Sequence, residues 1–172
     1  MDALIVPTPS EELAVAVEAR RASIPLAEAA FERAPRAGSG IRVAAAQFAP
    51  KLGDVSANVA RIDALLAEAA RHGAGLVVFP ECAATGCDFA DRESALGAAL
   101  VTDGRELETL VERCRAYQVE CVVGSLLRTG DRLHNSALLL GPGGIAGRYD
   151  KAHLPSRGAD RFVDPGDSGF QV

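Results

Sequence analysis

The 172-residue sequence contains 48% hydrophobic and 24% charged residues, the composition of an ordinary globular domain. Its net charge is -5 with Lys and Arg scattered singly, which excludes the basic surface of a nucleic-acid-binding protein. The N-terminus has neither a basic segment nor a long apolar run, so no secretory signal or membrane span is predicted. The four cysteines lack zinc-type or redox-type spacing, and we expect reduced thiols in a soluble, cytoplasmic protein.

Residues 1–40 are predicted to form an N-terminal appendage. Ser10 can cap an alanine-rich helix that runs from Glu11 to about Arg33, although Pro25 interrupts its apolar pattern. The run from Ala34 to Gly40 contains proline, serine and glycines and is typical of a linker. We assign this segment no function.

A strand, a helix and a second strand follow the linker. Ile41–Gln47 is a short apolar run, and Ser56 opens a helix whose apolar residues recur at helical spacing until Gly73 ends it. The continuous apolar run Gly75–Phe79 is typical of a buried strand. A unit of this size predicts a pair of parallel strands.

The next segments predict a sheet of mixed direction. Residues 82–90 have the composition of a loop, 91–100 of a short helix and 104–117 of an amphipathic helix, and three strands follow at 119–127, 133–140 and 145–150. Glycine-containing turns join these three strands into a meander, and the chain beyond Lys151 is predicted to be irregular. We therefore predict an α/β fold, a mixed sheet with packed helices.

Two charged residues stand directly after predicted strands. Glu81 follows the apolar strand that ends in Phe79 and Pro80, where removal from water favours a general base. Lys151 follows the strand that ends at Asp150, and an ammonium group is suited to stabilising a developing oxyanion. Taken singly, each is most often a solvated loop residue or half of a surface ion pair.

The sequence segments around Glu81 and Lys151 resemble those of the nitrilase superfamily of carbon–nitrogen hydrolases. Phe79-Pro80-Glu81 followed by Thr85-Gly86 is similar to the F-P-E…T-G segment of that family, and Tyr149-Asp150-Lys151-Ala152-His153-Leu154 to its Y-x-K-x-H-L segment. Further matches occur in family order at Ala46-Gln47, Gly53-Asp54, Asn58, Asn135-Ser136-Ala137 and Pro165-Gly166-Asp167. The resemblance covers Ile41 to Val172.

The resemblance implies a fold, a reaction and a set of site residues. Residues 41–172 would be an incomplete carbon–nitrogen hydrolase domain, a truncated portion of the four-layer α-β-β-α sandwich. The family attacks non-peptide amide, carbamoyl or nitrile bonds through a Cys-Glu-Lys triad, in which Glu81 would be the general base and Lys151 the oxyanion stabiliser. His153, Asn135 and Tyr149 would support them. No metal or organic cofactor is implied, and the complete protein is expected to be a homo-oligomer acting on a small amide or nitrile.

Two departures from the family pattern concern the site. Only 21 residues follow Lys151 and none is a cysteine, so the nucleophile is absent and we expect this chain to be inactive alone. Cys82 and Cys87 are close enough in sequence to the base to be considered as substitutes, but cysteine in a core or loop is the default. Ala159 stands where many members carry a second glutamate; either Asp160 compensates or this branch of the family manages without that glutamate.

Two other functions compete with the hydrolase. Gly141 to Ala146 formally satisfies the G-x-G-x-x-G/A pattern of a dinucleotide-binding loop, but that fingerprint requires a helix next and a strand is predicted. The other alternative is a non-catalytic interaction module that retains half the fold. Its sheet would expose apolar surface and an unpaired edge, which favours aggregation or pairing with a partner.

Overall fold

A mixed sheet of seven strands organises the computed structural model, which describes residues 4–7, 40–167 and 169. The strands are β1 Leu4–Pro7, β2 Val43–Gln47, β3 Leu76–Val78, β4 Leu100–Val101, β5 Glu120–Thr129, β6 Arg132–Gly141 and β7 Gly144–Asp150. Their order is β1-β2-β3-β5-β6-β7, with β4 beside β5. Strands β2, β3 and β5 are parallel, whereas β5, β6 and β7 form an antiparallel meander. The predicted mixed α/β architecture is confirmed.

In the described part of the chain, three α-helices lie between strands and one short 3-10 helix follows the last strand. They are α1 Val55–Arg71, α2 Arg92–Ala98, α3 Arg105–Tyr117 and the 3-10 helix Gly158–Arg161. Helix α1 begins at Val55, one residue before the predicted Ser56, and Asp54 caps it: the Asp54 carboxylate accepts a hydrogen bond from the Ala57 amide at 3.1 Å.

Helices α1 and α3 cover one face of the sheet. Fully buried side chains such as Ile62 and Leu66 of α1 and Leu107 and Leu110 of α3 belong to a single core with alternate residues of the strands, among them Val77, Val123, Leu138 and Leu140. Tyr117 at the end of α3 donates a hydrogen bond to Asp63 of α1 at 2.8 Å. These contacts join the two helices to each other and to one face of the sheet.

The opposite face of the sheet is apolar but only partly covered. Ala45, Val78, Val122, Leu139 and Gly147 lie directly opposite one another on successive strands and form a row that we call the open row. All five are half-buried or exposed, and Val78 is 37% exposed. An apolar sheet face of this kind is suited to packing against another sheet, as in a four-layer sandwich.

Parts of the fold differ from the sequence-based prediction. Strand β1, which pairs antiparallel with β2, and the two-residue strand β4 were not predicted because both are too short for an alternating pattern. The 3-10 helix occupies a segment expected to be irregular. The predicted helix from Glu11 to Arg33 and the linker up to Ser39 lie outside the described residues.

Candidate active site

Glu81 is carried by a turn that crosses the sheet immediately after β3. The Phe79 amide still pairs with the Val122 carbonyl at 2.9 Å, and the chain then turns at Pro80. Cys82, the residue after Glu81, has a φ of 51°, a left-handed conformation that is uncommon for residues other than glycine. The turn lies over β5, where the Ala84 amide donates to the Gly124 carbonyl at 3.1 Å.

Gly124 makes this crossing possible, because it has no side chain. A Cβ at this position would lie 2.5 Å from the Pro80 carbonyl oxygen, 2.7 Å from the Cys82 nitrogen and 2.8 Å from the Glu81 Cα. These are backbone atoms that cannot rotate away. The glycine therefore allows the loop to bring Glu81 across β5 towards β6, a role that no local sequence pattern indicates.

We expect Gly124→Ala to displace the Glu81 turn and to lower the free energy of unfolding by about 1–3 kcal/mol, the usual cost of overpacking. Urea unfolding followed by circular dichroism measures this loss. The matched control is Gly97→Ala in α2, where an added Cβ meets nothing within 4 Å and no loss is expected. Equal stability of the Gly124→Ala and wild-type proteins would contradict the proposed steric role.

Lys151 is fixed by hydrogen bonds on both sides of its backbone. Its amide donates to the Asn135 carbonyl of β6 at 2.8 Å, and its own carbonyl accepts from the Gly166 amide at 3.0 Å. Gly166 lies so close to the Asp150 carbonyl that no Cβ fits there. Strand β7 runs in the same direction as β3, so the predicted position of Lys151 and Glu81 at one edge of the sheet is observed.

Four polar side chains meet at this edge. The Lys151 ammonium donates to Glu81 Oε1 and to Asp160 Oδ2, both at 2.7 Å. The Asn135 Nδ2 amide donates to Glu81 Oε1 at 2.6 Å and to Asp160 Oδ1 at 2.8 Å. Glu81 and Asp160 are thus two carboxylates that share one ammonium and one amide, and we call these four residues the carboxylate–lysine cluster.

The electrostatics of the cluster keep Lys151 charged. Burial lowers the pKa of its ammonium, but the hydrogen bonds and negative charges of Asp160 and Glu81 outweigh burial and raise that pKa above its ordinary value. The Asp160 side chain is only 7% exposed, Lys151 29% and Glu81 56%. The expectation that Glu81 is removed from water was therefore wrong, because the turn carries it onto the open edge of the sheet.

Asp160 supplies the second carboxylate of the cluster, next to the buried Ala159. Ala159, at the position of the usual second glutamate, is buried against an apolar cluster that includes Phe89 and Leu133. The 3-10 helix turns the next residue, Asp160, towards Lys151 and Asn135. A carboxylate shifted by one residue thus contacts the lysine.

Arg92, the first residue of α2, anchors the chain just beyond this 3-10 helix. Its guanidinium donates to the Phe162 carbonyl and, at 2.9 Å, to the Asp164 carboxylate. The Leu133 amide donates to the same carboxylate at 2.9 Å. These interactions hold the pKa of Asp164 below its usual range, the Leu133 amide contributing most. The segment that presents Asp160 is therefore tied both to β6 and to α2.

The other two predicted supporting residues are Tyr149 and His153. Tyr149 is half-buried on β7 opposite Ala137. His153 is exposed and makes no hydrogen bond to any residue that the structure describes, so its supporting role stays a prediction.

The cysteines correct the expectation of four reduced thiols. Cys82 and Cys87 are joined by a disulfide, so neither offers a free thiol beside Glu81. Cys114 and Cys121 are free, but both are buried in the core between α3 and β5, with their sulfurs 3.6 Å apart. The hydrogen bond with Cys114 and, after it, burial raise the pKa of the Cys121 thiol, which suits a core residue rather than a nucleophile.

The dinucleotide-binding alternative finds no support in the described residues. Gly141 and Gly144 pair in the hairpin between β6 and β7, so a strand follows where a dinucleotide-binding loop needs a helix. Within residues 4–7, 40–167 and 169, no group of three or more His, Cys, Asp or Glu side chains is arranged to bind a metal ion. In the same part of the chain, no helix is both long and apolar enough to cross a lipid bilayer.

The helix-backed mixed sheet and the motifs at its edge define a nitrilase-like α/β fold, of which this chain covers a part. Residues 42–172 match the family described as carbon-nitrogen hydrolase, and the chain belongs to that family. The predicted membership of the nitrilase superfamily is thereby confirmed.

Individual relatives agree with this membership. A nitrilase of Pyrococcus abyssi is 37% identical over 133 residues, which cover 77% of this chain and 50% of the relative. An (R)-stereoselective amidase of Pseudomonas sp is 33% identical over 128 residues, covering 74% of this chain and 45% of the relative. The structure of an N-terminal amidase with an Asn-Glu-Ala peptide superposes with a TM-score of 0.65 at 26% identity, covering 75% of this chain and 32% of that one. The chain spans about half the length of these two curated relatives.

Proposed function

We propose that the complete protein hydrolyses a carbon–nitrogen bond of a small amide, carbamoyl compound or nitrile through a Cys-Glu-Lys triad. The observation that carries this proposal is the contact of Glu81 Oε1 with Lys151 Nζ at 2.7 Å, within a cluster completed by Asn135 and Asp160. The cluster joins an exposed carboxylate, which can exchange a proton, to an ammonium that is held charged beside it. In this proposal the nucleophilic thiol comes from a part of the fold outside these 172 residues.

The chemistry begins with removal of the thiol proton by Glu81. The thiolate attacks the carbonyl or nitrile carbon, and the Lys151 ammonium stabilises the negative charge that develops on the substrate oxygen or nitrogen. For an amide, Glu81 returns the proton to the departing amine and a thioester remains. Glu81 then takes a proton from water, whose oxygen attacks the thioester; the C–S bond breaks, the acid is released, and Glu81 returns the proton to the departing sulfur.

Asn135 and Asp160 are positioning residues in this scheme. Asn135 holds the Glu81 carboxylate through one N–H bond, and Asp160 accepts a second hydrogen bond from the Lys151 ammonium. Because Glu81 is 56% exposed, its carboxylate is accessible to a reacting thiol, whereas the buried Asp160 is not.

The direct test is a panel of amides, carbamoyl compounds and nitriles, with ammonia release measured for the complete, cysteine-containing protein. We expect turnover that disappears when the nucleophilic cysteine is replaced by alanine. Ammonia release that survives this replacement would contradict the proposed triad, and absence of turnover on every class would contradict the proposed reaction.

The second candidate is a non-catalytic interaction module, which the open row favours. Its five apolar residues cross five strands and are incompletely covered.

We predict that the isolated 172-residue chain releases no ammonia and elutes from a sizing column as an oligomer or aggregate, because apolar sheet surface drives association. Val78→Lys, which places a charge in the row, should shift elution towards the monomer, with Val101→Lys outside the row as control. A monodisperse wild-type monomer is the contrary result.

A further inference from the structure

The disulfide between Cys82 and Cys87 lies beside the proposed base. Cys82 is covalently next to Glu81, and the two cysteine Cα atoms are 5.6 Å apart across the turn. Cys82 is fully buried, whereas Cys87 is only half-buried. A reductant in solution therefore has better access to Cys87.

The two ends of this disulfide connect to the two acidic residues of the carboxylate–lysine cluster. On one side Cys82 continues directly from Glu81. On the other side the Cys87 carbonyl accepts a hydrogen bond of 2.5 Å from the Ala159 amide, and Ala159 immediately precedes Asp160. Gly158 is packed against the same carbonyl, since a Cβ there would lie 2.8 Å from it. The disulfide thus links the Glu81 turn to the 3-10 helix that carries Asp160.

We propose, resting on the function proposed above, that the Cys82–Cys87 disulfide is a redox-sensitive positioning element for the active site. In the oxidised form it holds the Glu81 turn and the Asp160 helix at the separation at which both carboxylates contact Lys151. Reduction by a thiol releases this constraint and loosens the contact of the two carboxylates with Lys151.

The backbone at Cys82 supports this role. Its φ of 51° is a conformation that persists only where the surroundings enforce it. Two amides of the turn, those of Thr85 and Gly86, donate to the Cys82 carbonyl at 3.2 and 2.8 Å, and the disulfide adds a covalent restraint at the same residue. Loss of the covalent restraint allows the backbone at Cys82, next to Glu81, to change conformation.

Asn135 provides a second route from the sulfur to the cluster. Cys82 Sγ lies 3.8 Å from Asn135 Oδ1, and the amide nitrogen of the same side chain donates to both Glu81 and Asp160. A disulfide sulfur has no hydrogen to donate, whereas a Cys82 thiol could donate weakly to Oδ1. The redox state therefore changes the hydrogen bonding of the amide that joins the two carboxylates.

The reduction is a two-step thiol–disulfide exchange with a dithiol. One thiolate of the dithiol attacks Cys87 Sγ, the protein S–S bond breaks, and the electron pair leaves with Cys82 Sγ, which takes up a proton. The second thiol of the reagent, as thiolate, then displaces Cys87 from the mixed disulfide, and Cys87 is protonated in turn. Two electrons and two protons pass to the protein, and the reagent becomes a disulfide.

The sequence offers an internal reference for the test, because Lys151 and Lys51 are its only lysines. The 172-residue chain, purified without reductant, is denatured and alkylated, and the expected count is two reactive cysteines, rising to four after dithiothreitol.

Native protein is then compared before and after dithiothreitol, with the reagent removed under nitrogen. Competitive acetylation read by mass spectrometry should show Lys151 labelling about tenfold faster relative to Lys51 after reduction. Amide exchange at residues 82–87 and 158–161 should accelerate by a similar factor.

Variants separate the disulfide from general effects of reduction. Cys87→Ser should reproduce the fast Lys151 acetylation, and dithiothreitol should add nothing further. The matched control is Cys114→Ala, a buried cysteine outside the disulfide, which should retain the wild-type response. Four reactive cysteines before reduction, or a Lys151 acetylation ratio unchanged by dithiothreitol, would overturn the proposal. These measurements need no substrate, so a failure of the proposed hydrolysis is recognised separately by the ammonia assay.

Discussion

Replacement of Lys151 by methionine is expected to reduce kcat of the complete protein by about 10³-fold, the cost of losing an oxyanion-stabilising group. The same change removes the positive charge between Glu81 and Asp160, which would then face each other with only Asn135 between them. Because Asp160 is almost fully buried, its carboxylate would lose its main compensating charge. We therefore expect a lower unfolding temperature as well as lost activity.

Two further variants distinguish the loss of catalysis from the loss of stability. Lys51→Met removes the other lysine, whose side chain is 73% exposed, and should leave both kcat and the unfolding temperature close to wild type. The double change Lys151→Met with Asp160→Asn removes the uncompensated carboxylate and should recover stability but not activity. Ammonia release and thermal unfolding measure the two quantities. A Lys151→Met protein with wild-type kcat would exclude the lysine from the reaction.

Replacement of Glu81 by glutamine is expected to reduce kcat/KM by about 10³-fold with little loss of stability. Glutamine keeps the shape of the side chain and its oxygen can still accept from Lys151 and Asn135, but it cannot take a proton from a thiol. Stability should change little, because the Glu81 side chain is more than half exposed and surface ion pairs contribute about 0–1 kcal/mol. Loss of activity without loss of stability is the expected combination for a base.

The control for this variant is Glu93→Gln, which removes an exposed carboxylate from the first turn of α2 and should not affect turnover. Circular dichroism and urea unfolding establish that both variants are folded, and steady-state kinetics on the best substrate of the panel gives kcat/KM. If Glu81→Gln retains more than about a tenth of the wild-type kcat/KM, a different group must be the base.

Most of the sheet could be predicted from the sequence because its strands carry local signals. The apolar run at β3 and the glycine turns of the β5–β7 meander are patterns of neighbouring residues, and the structure contains each element within a few positions. Strands β1 and β4 carry no such signal, since their four and two residues depend on pairing with β2 and β5. Short edge elements of this kind are defined by their partners.

The candidate site likewise has features that sequence motifs predict and features that depend on the tertiary structure. Glu81, Lys151 and Asn135 were predicted from their motifs, and the structure brings the three side chains together, although their catalytic roles remain proposals. The exposure of Glu81 and the approach of Gly124 depend on how a turn crosses another strand, which no local pattern encodes. The Cys82–Cys87 disulfide was missed for a similar reason, because a spacing of five residues is bridged only when the turn between them is tight.

The long chain separations within the carboxylate–lysine cluster have a consequence for folding. The β5–β6 hairpin closes over a two-residue turn, whereas the contact between Glu81 and Lys151 closes 70 residues. Closing a long loop costs more conformational entropy than closing a short one. Local hairpins therefore form first, and distant contacts form after the chain between them is ordered. The meander can therefore assemble before the turn after β3 docks upon it. Glu81 lies on the docking turn, whereas Lys151 directly follows the meander. Their ion pair therefore forms only once the turn has docked, and it reports the final stage of folding.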